Sequence, residues 1–147
     1  MKNFKKLLIF SILILLSSCG QTIDFDDDKE YIEDKNKIIS YKGVPYTGKM
    51  VNYYDKEKTQ LQIELFLKDG KRNGLTTEYF ENGSLKYKRN YKDDKRDGLF
   101  EWYHDNGQLR EKTTFKDGNI DGLLKYYDED GQLLSKKNYK DGVKQDD

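Results

Sequence analysis

His104 is the one histidine in 147 residues and Cys19 the one cysteine. Nucleophilic, general-base or metal chemistry would therefore have to pass through very few atoms. His104 stands directly before Asp105-Asn106-Gly107, a turn sequence, and a general base needs an oriented nucleophile or carboxylate within hydrogen-bond reach. Related stretches of the chain carry Glu81 or Asp128 near the same place, so His104 reads as a solvated turn residue. One histidine and one cysteine cannot supply a His/Cys ligand set for zinc, and no metal or cofactor is expected. Asp24-x-Asp26-x-Asp28 has the spacing that opens a calcium loop, but Lys29 holds the sixth position and Lys35 the twelfth, where glycine and glutamate are required. It reads as a solvated acidic run. Glu64, Glu78 and Glu101 lie among many lysines and read as surface ion pairs rather than as the paired carboxylates of a glycosidase. No enzyme is expected.

Aromatic side chains are the remaining carriers of recognition chemistry, and a repeat positions them. Gly74, Gly98 and Gly122 are spaced by 24 residues, and from each a Leu follows at +1 (Leu75, Leu99, Leu123) and a Tyr at +5 (Tyr79, Tyr103, Tyr127). A Gly recurs at +9 (Gly83, Gly107, Gly131), a Leu at +11 (Leu85, Leu109, Leu133) and an aromatic at +17 (Tyr91, Phe115, Tyr139). A fixed period of this size signals a repeat array. An earlier copy opens at Gly48 with two extra residues near 56–60, and Ile38 to Tyr46 looks like the back half of another. The expected units are a half repeat over 38–47 and repeats over 48–73, 74–97, 98–121 and 122–145.

Offsets +1 and +5 share parity, as do +11 and +17, which places the large residues of each half on one face of an extended strand. Asn82-Gly83, Asn106-Gly107 and Asp130-Gly131 separate the halves, and Asp69-Gly70, Asp117-Gly118 and Asp141-Gly142 separate the repeats. Such pairs accept the positive φ of tight hairpin turns. The expected fold is all-β: an elongated, single-layer antiparallel sheet of consecutive hairpins, about nine strands. One apolar stripe cannot offset the ordering of so much backbone, so the second face must contribute. Phe80, Phe100, Trp102, Leu124 and Tyr126 lie there by parity. The regular stripe of Leu75, Tyr79, Leu99, Tyr103, Leu123 and Tyr127 reads as the stack that holds hairpins together. The less regular face reads as the candidate binding face, with Trp102 its leading residue because no other copy has Trp there.

Residues 1–18 carry Lys2, Lys5 and Lys6 and then the apolar run Leu7 to Leu16, a charged region followed by an apolar core too short to span a bilayer. This reads as a secretion signal. The junction Leu16-Ser17-Ser18-Cys19 resembles the lipobox of bacterial lipoproteins, and the resemblance implies diacylglycerol on Cys19 with attachment to a membrane through that lipid. Gly20 in the second mature position is similar to that of lipoproteins released to the outer membrane. The expected location is the bacterial cell envelope at the outer membrane, with display on the cell surface left open. Removing residues 1–18 takes three lysines and no acids, leaving 24 basic and 27 acidic residues. No basic excess suggests nucleic acid. Residues 20–34 hold seven acids against Lys29 alone, and 19–37 reads as an acylated cysteine and a flexible acidic tether, able to reach roughly 60 Å at about 3.3–3.6 Å per residue. The repeat array proper is expected over 38–147.

Gly-Leu-x-x-x-Tyr, then Asn-Gly-x-Leu, then Tyr-Lys-Asp-Gly resembles the MORN repeat family, in the bacterial variant found in YwqK-type antitoxin-family proteins. The departures are Asp94 in place of a Gly, Leu67 in place of an aromatic and the expanded first copy. The resemblance implies a hairpin array used for binding. The leading expectation is a lipid-anchored, non-enzymatic envelope module that binds a protein or a glycan; the alternative is an antitoxin or immunity protein that sequesters an effector.

Overall fold

A computed structural model describes residues 21–146. The expected signal segment and Cys19 lie outside the described residues. The strands are β1 (Thr22–Asp24), β2 (Ile32–Lys35), β3 (Ile38–Tyr41), β4 (Val44–Pro45), β5 (Gly48–Tyr53), β6 (Leu61–Lys68), β7 (Lys71–Arg72) and β8 (Gly74–Tyr79). They continue with β9 (Leu85–Lys92), β10 (Lys95–Tyr103), β11 (Leu109–Lys116), β12 (Asn119–Ile120), β13 (Gly122–Tyr127), β14 (Leu133–Lys140) and β15 (Val143–Lys144). One helical turn, α1 (Phe25–Asp28), follows β1.

Consecutive hairpins β5–β6, β8–β9, β10–β11 and β13–β14 pair side by side into one sheet of twelve strands, and β2–β3–β4 form a separate sheet of three. The count exceeds the expected nine for two reasons. Residues after three of the turns that end repeats fold back for two positions as separate strands, β7, β12 and β15, whereas after Asp93-Asp94 they run on within β10. The segment before residue 38 also contributes strands. Because β1 joins β5 in parallel, the sheet is mixed at that edge and antiparallel elsewhere.

The two kinds of turn differ in backbone conformation. Between repeats, both central residues have positive φ, at Asp69 and Gly70, Asp93 and Asp94, Asp117 and Gly118, and Asp141 and Gly142, the requirement of a two-residue hairpin turn that follows the strand twist. Within the loops of the last three repeats only the glycines Gly83, Gly107 and Gly131 are left-handed, and in the expanded first loop Lys58 is; the loop is longer: the Phe80 amide donates to the Ser84 carbonyl, and the Gly83 amide to that of Phe80. The amides of Gly70, Asp94, Gly118 and Gly142 donate to the carbonyls of Tyr46, Arg72, Arg96 and Ile120 at 2.8–3.0 Å. Every repeat is thereby hydrogen-bonded to the one before it through its turn.

The parity expectation fails in the second half of each repeat. Trp102 pairs with Glu111 but Tyr103 pairs with Leu109, leaving Arg110 as an extra residue in β11. Gln62, Lys86 and Leu134 are left out in the same way. A bulge of this kind reverses the alternation beyond it. Leu85 therefore stays with Tyr79, whereas Tyr91 lies opposite Gly74 on the other face. Gly74, Gly98 and Gly122 sit at φ between +103° and +127°, a region open to glycine, and they pair with Tyr91, Phe115 and Tyr139; Gly74 and Gly122 start β8 and β13, whereas Gly98 lies within β10.

The expected tether over 19–37 is corrected for its described part. Ile23 is fully buried, and with Tyr46, Met50 and Leu67 it forms a core cluster joined by Ile32, Ile39, Tyr41 and Leu65. The acids flanking the buried strand do not keep it unfolded, because Asp24, Asp27 and Asp28 have partners within the fold. Lys58, in the expanded first loop, lies 3.0 Å from Asp24 and also hydrogen-bonds Asp27, and Asp28 accepts from the Tyr41 hydroxyl at 3.1 Å. The Tyr46 hydroxyl donates to the carbonyl of Gln21. The two-residue expansion of the first copy thus has a structural role, since it carries Lys58 to the acidic turn. The small sheet and β1 close one end of the array, while β14 at the other end is paired only to β13 and to the short β15.

Candidate functional site

Residues paired directly across antiparallel strands share a face, and the register defines two chemically different ones. On one, Glu78, Tyr87, Trp102, Glu111, Tyr126 and Ser135 follow one another from β8 to β14. On the other, Thr77, Lys88, Glu101, Lys112, Lys125 and Lys136 do so. The first is the aromatic face and the second the lysine face.

The expected division of labour between the faces is reversed. Phe100 and Leu124, assigned to the binding face, are 7% and 5% exposed and form its core together with Tyr91, Phe115 and Thr113. Leu75, Leu99 and Leu123, assigned to the holding stripe, are 45%, 38% and 49% exposed on the lysine face. Tyr79, Tyr103 and Tyr127 are half-buried, and Tyr103 donates to Glu101. Phe80, Trp102 and Tyr126 are half-buried as well, so of the predicted face these three retain accessible surface. The aromatic face packs as a run: Trp102 stacks on Tyr87 with centroids 5.5 Å apart, Tyr87 lies 6.2 Å from Phe100, and Phe100 meets Phe115 edge-on at 5.8 Å.

Among the described residues, no second layer of backbone covers these central rings. Arginines do. The guanidinium of Arg110 lies 3.7 Å from the centroid of Trp102, Arg89 lies 3.8 Å from Tyr87, and Arg72 and Arg96 lie 4.2 Å from Tyr91 and Phe115. A guanidinium over a ring gains electrostatic attraction and shields the ring from water while its N–H groups stay available. The sequence contains four arginines, and all four do this on the same face. Tyr87, Tyr91, Phe100 and Trp102, with Arg72, Arg89 and Arg96 above them, line an open groove of about 610 Å³ bordered by Lys95, Asp94 and Glu111. Arg110 caps Trp102 at its margin. Sequence reasoning missed the arginines by treating them with the lysines; the signal available was their scarcity and the 24-residue spacing of Arg72 and Arg96.

Asp94, the departure from glycine, has a role at the groove wall. Its carboxylate accepts from the Arg72 amide at 3.0 Å and from Arg72 Nε at 2.9 Å, which fixes Arg72 over Tyr91 in a way glycine could not. Glu78 and Glu101 take lysine partners as expected, with Lys86 and Lys112 each at 2.8 Å, and Glu64 pairs with Lys49. Burial and the Glu101 carboxylate push the Tyr103 hydroxyl up to about 12. His104 is not a solvated turn residue: it is half-buried, and its Nε2 lies 3.1 Å from the carbonyl of Tyr127 in the next repeat, as the Tyr54 hydroxyl donates to that of Tyr79 one repeat pair earlier. It stitches repeats together.

Glu111 faces the groove with burial raising its proton affinity, an effect that the nearby Arg110 and Arg96 oppose without cancelling. A carboxyl whose folded pKa exceeds its unfolded value favours the fold at pH below the unfolded pKa and loses that contribution as pH rises through the folded one. Glu111→Gln should therefore gain stability relative to the parent chain as pH is raised from the ordinary carboxylate range to neutrality. Urea midpoints measured across that range check this, and a constant difference between the two proteins would contradict it.

The MORN repeat variant matches three consecutive stretches of the chain, residues 72–93, 96–117 and 120–141. Each begins at the residue whose carbonyl accepts from the following turn and ends at the first Asp of that turn, so the matched unit is the hydrogen-bonded structural one. MORN repeats are a module that often mediates binding. No curated protein matches the chain.

Proposed function

We propose that this chain is a non-enzymatic binding module held at the bacterial cell envelope by lipid on Cys19, and that it engages its partner through the arginine-covered aromatic face. The observation that carries the reading is the groove itself, where donors held in place by stacking stand over rings in a surface otherwise built from alternating charges. Anchoring rests on the Leu16-Ser17-Ser18-Cys19 junction. With β1 starting at Thr22, only residues 19–21 separate the lipid from the sheet, roughly 10 Å at full extension. The array then rests close to the membrane on its closed end and projects its open end outward. The outer membrane is the proposed site because Gly20 follows the cysteine. Sequestration of a toxin would be one use of such a module, and it differs from the general reading only in the identity of the partner.

Two measurements test the proposal. Metabolic labelling with a fatty-acid analogue should tag the parent chain and not Cys19→Ala; equal labelling would remove the anchor from the reading. A photo-crosslinking residue at Lys95, on the groove rim, should capture a discrete partner in intact cells, whereas the same residue at Leu99 on the lysine face should not. Equal capture at both positions would refute the assignment of the face.

A further inference from the structure

We infer that the groove docks an extended acidic segment of a protein partner, with Asp and Glu side chains of that segment set against Arg89, Arg96 and Arg110. This deepens the proposed binding role and rests on it.

The argument begins with how the cations are spent. Arg72 is paired with Asp94, whose carboxylate accepts from its guanidinium Nε and from its backbone amide. Arg89 has one carboxylate oxygen of Glu78 at 3.9 Å, too long for a hydrogen bond, and its buried Nε has no hydrogen-bond partner among the described residues. Arg96 and Arg110 form no ion pair within 4.0 Å among the described residues, although both are exposed. Lys95 adds a further exposed cation at the rim. The groove therefore offers unused donors whose planes are already fixed by Phe115, Tyr87 and Trp102. Fixed guanidinium forks suit oxyanions, which they bind through paired N–H groups, and less side-chain freedom is lost when they engage.

The same geometry selects among anionic ligands. A glycan that recognises proteins by stacking needs bare ring faces, and here guanidiniums already lie over Tyr87, Tyr91, Trp102 and Phe115 at 3.7–4.2 Å. A densely charged phosphate polymer needs an unbroken basic surface, whereas Asp94 and Glu111 interrupt this one. A peptide with spaced carboxylates meets both conditions. Alternate side chains of an extended segment stand about 6.7 Å apart, so three acids on one side span about 13 Å, comparable to the roughly 10 Å across three adjacent strands such as β9, β10 and β11.

Trp102 is the only tryptophan and lies within the groove, so its emission reports occupancy directly. The test titrates the full chain with a ten-residue peptide of alternating Glu and Ser, and separately with an oligogalacturonate of equal charge, reading Trp102 fluorescence and the anisotropy of labelled ligand. The peptide is expected to bind saturably and more weakly as salt rises. Arg96→Gln combined with Arg110→Gln should weaken it by about tenfold or more, Glu111→Gln should tighten it, and Lys112→Gln on the lysine face should leave it unchanged. Circular dichroism of each variant establishes that the fold is retained. Binding of the peptide with unchanged affinity to the Arg96/Arg110 variant overturns the inference, as does binding of the oligogalacturonate in preference to the peptide. If neither ligand binds while the Lys95 crosslink still captures a partner, the acidic-segment inference fails and the binding module stands; if that crosslink also captures nothing, the proposed function fails with it.

Discussion

Phe100→Ala is expected to lower the stability of the fold by about 3–5 kcal/mol, whereas Leu99→Ala, one residue away, should change it by less than about 1 kcal/mol. The contrast follows from the two faces of a sheet that has a covered side and an open one. Phe100 is 7% exposed, touches Phe115 and Tyr87 across two neighbouring strands and lies directly opposite Thr113, which is 1% exposed. Removing the ring opens a cavity that the surrounding strands cannot collapse into without breaking hydrogen bonds, and it also strips support from the arginines above. Leu99 is 38% exposed on the lysine face, where water replaces whatever the side chain gives up. Chemical denaturation of the two single variants decides the matter. A larger loss for Leu99→Ala would mean that the regular leucine stripe is the core and that the assignment of faces is wrong.

That regular stripe is what the sequence advertises most loudly, and it is the part that misleads. The 24-residue period, the hairpins and the turn positions are legible because each rests on a residue type with a narrow backbone preference: glycine at Gly74, Gly98 and Gly122, and Asx-Gly or Asx-Asx pairs at the turns. Face assignment is not carried by any such residue. It depends on counting in twos, and a single bulge residue in the second strand of each repeat, Arg110 in the third full copy, reverses the count beyond it. Nothing about Gln62, Lys86, Arg110 and Leu134 as residue types marks them as the extra member. Regularity also has a second cause besides burial. Tyr103 recurs at its position with its hydroxyl on Glu101, which lies 2.8 Å from Lys112, a polar contact on an accessible surface.

The groove was legible through Phe100 and Trp102 alone. Its covering arginines are invisible to a count of positive charge, because the property that matters is planarity. Lysine cannot lie flat on a ring and keep several donors directed outward, and a sheet with one backbone layer needs side chains that both shield aromatic surface and tolerate water. Arg72, Arg89, Arg96 and Arg110 satisfy both demands. Arginine-to-lysine exchange in the groove is for that reason not a neutral change, in contrast to the lysine face, where Lys88, Lys112, Lys125 and Lys136 meet solvent.

Ile23→Ala is expected to cost about 2–5 kcal/mol, the loss typical of a fully enclosed aliphatic side chain, even though Ile23 lies in the most acidic stretch of the chain. Composition averages describe residues 20–34 as too charged to fold, and the average is accurate; the structure turns on three isolated features that an average removes. Ile23 is 0% exposed between Tyr46, Met50 and Leu67, its strand is paired in parallel with Lys49–Val51, and Lys58 reaches from the expanded loop to Asp24 and Asp27. Loss of the isoleucine should release β1 from the edge of β5 and expose the end of the array, so the urea midpoint should fall and amide exchange at Met50 and Val51 should quicken. Glu30→Gln, in the same segment but exposed, should leave both measurements close to those of the parent. If Ile23→Ala unfolds at the parent midpoint with unchanged exchange at Val51, residues 22–24 contribute nothing to the folded unit, the closed end of the array is an illusion, and the distance between Cys19 and the sheet returns to that of a long free tether.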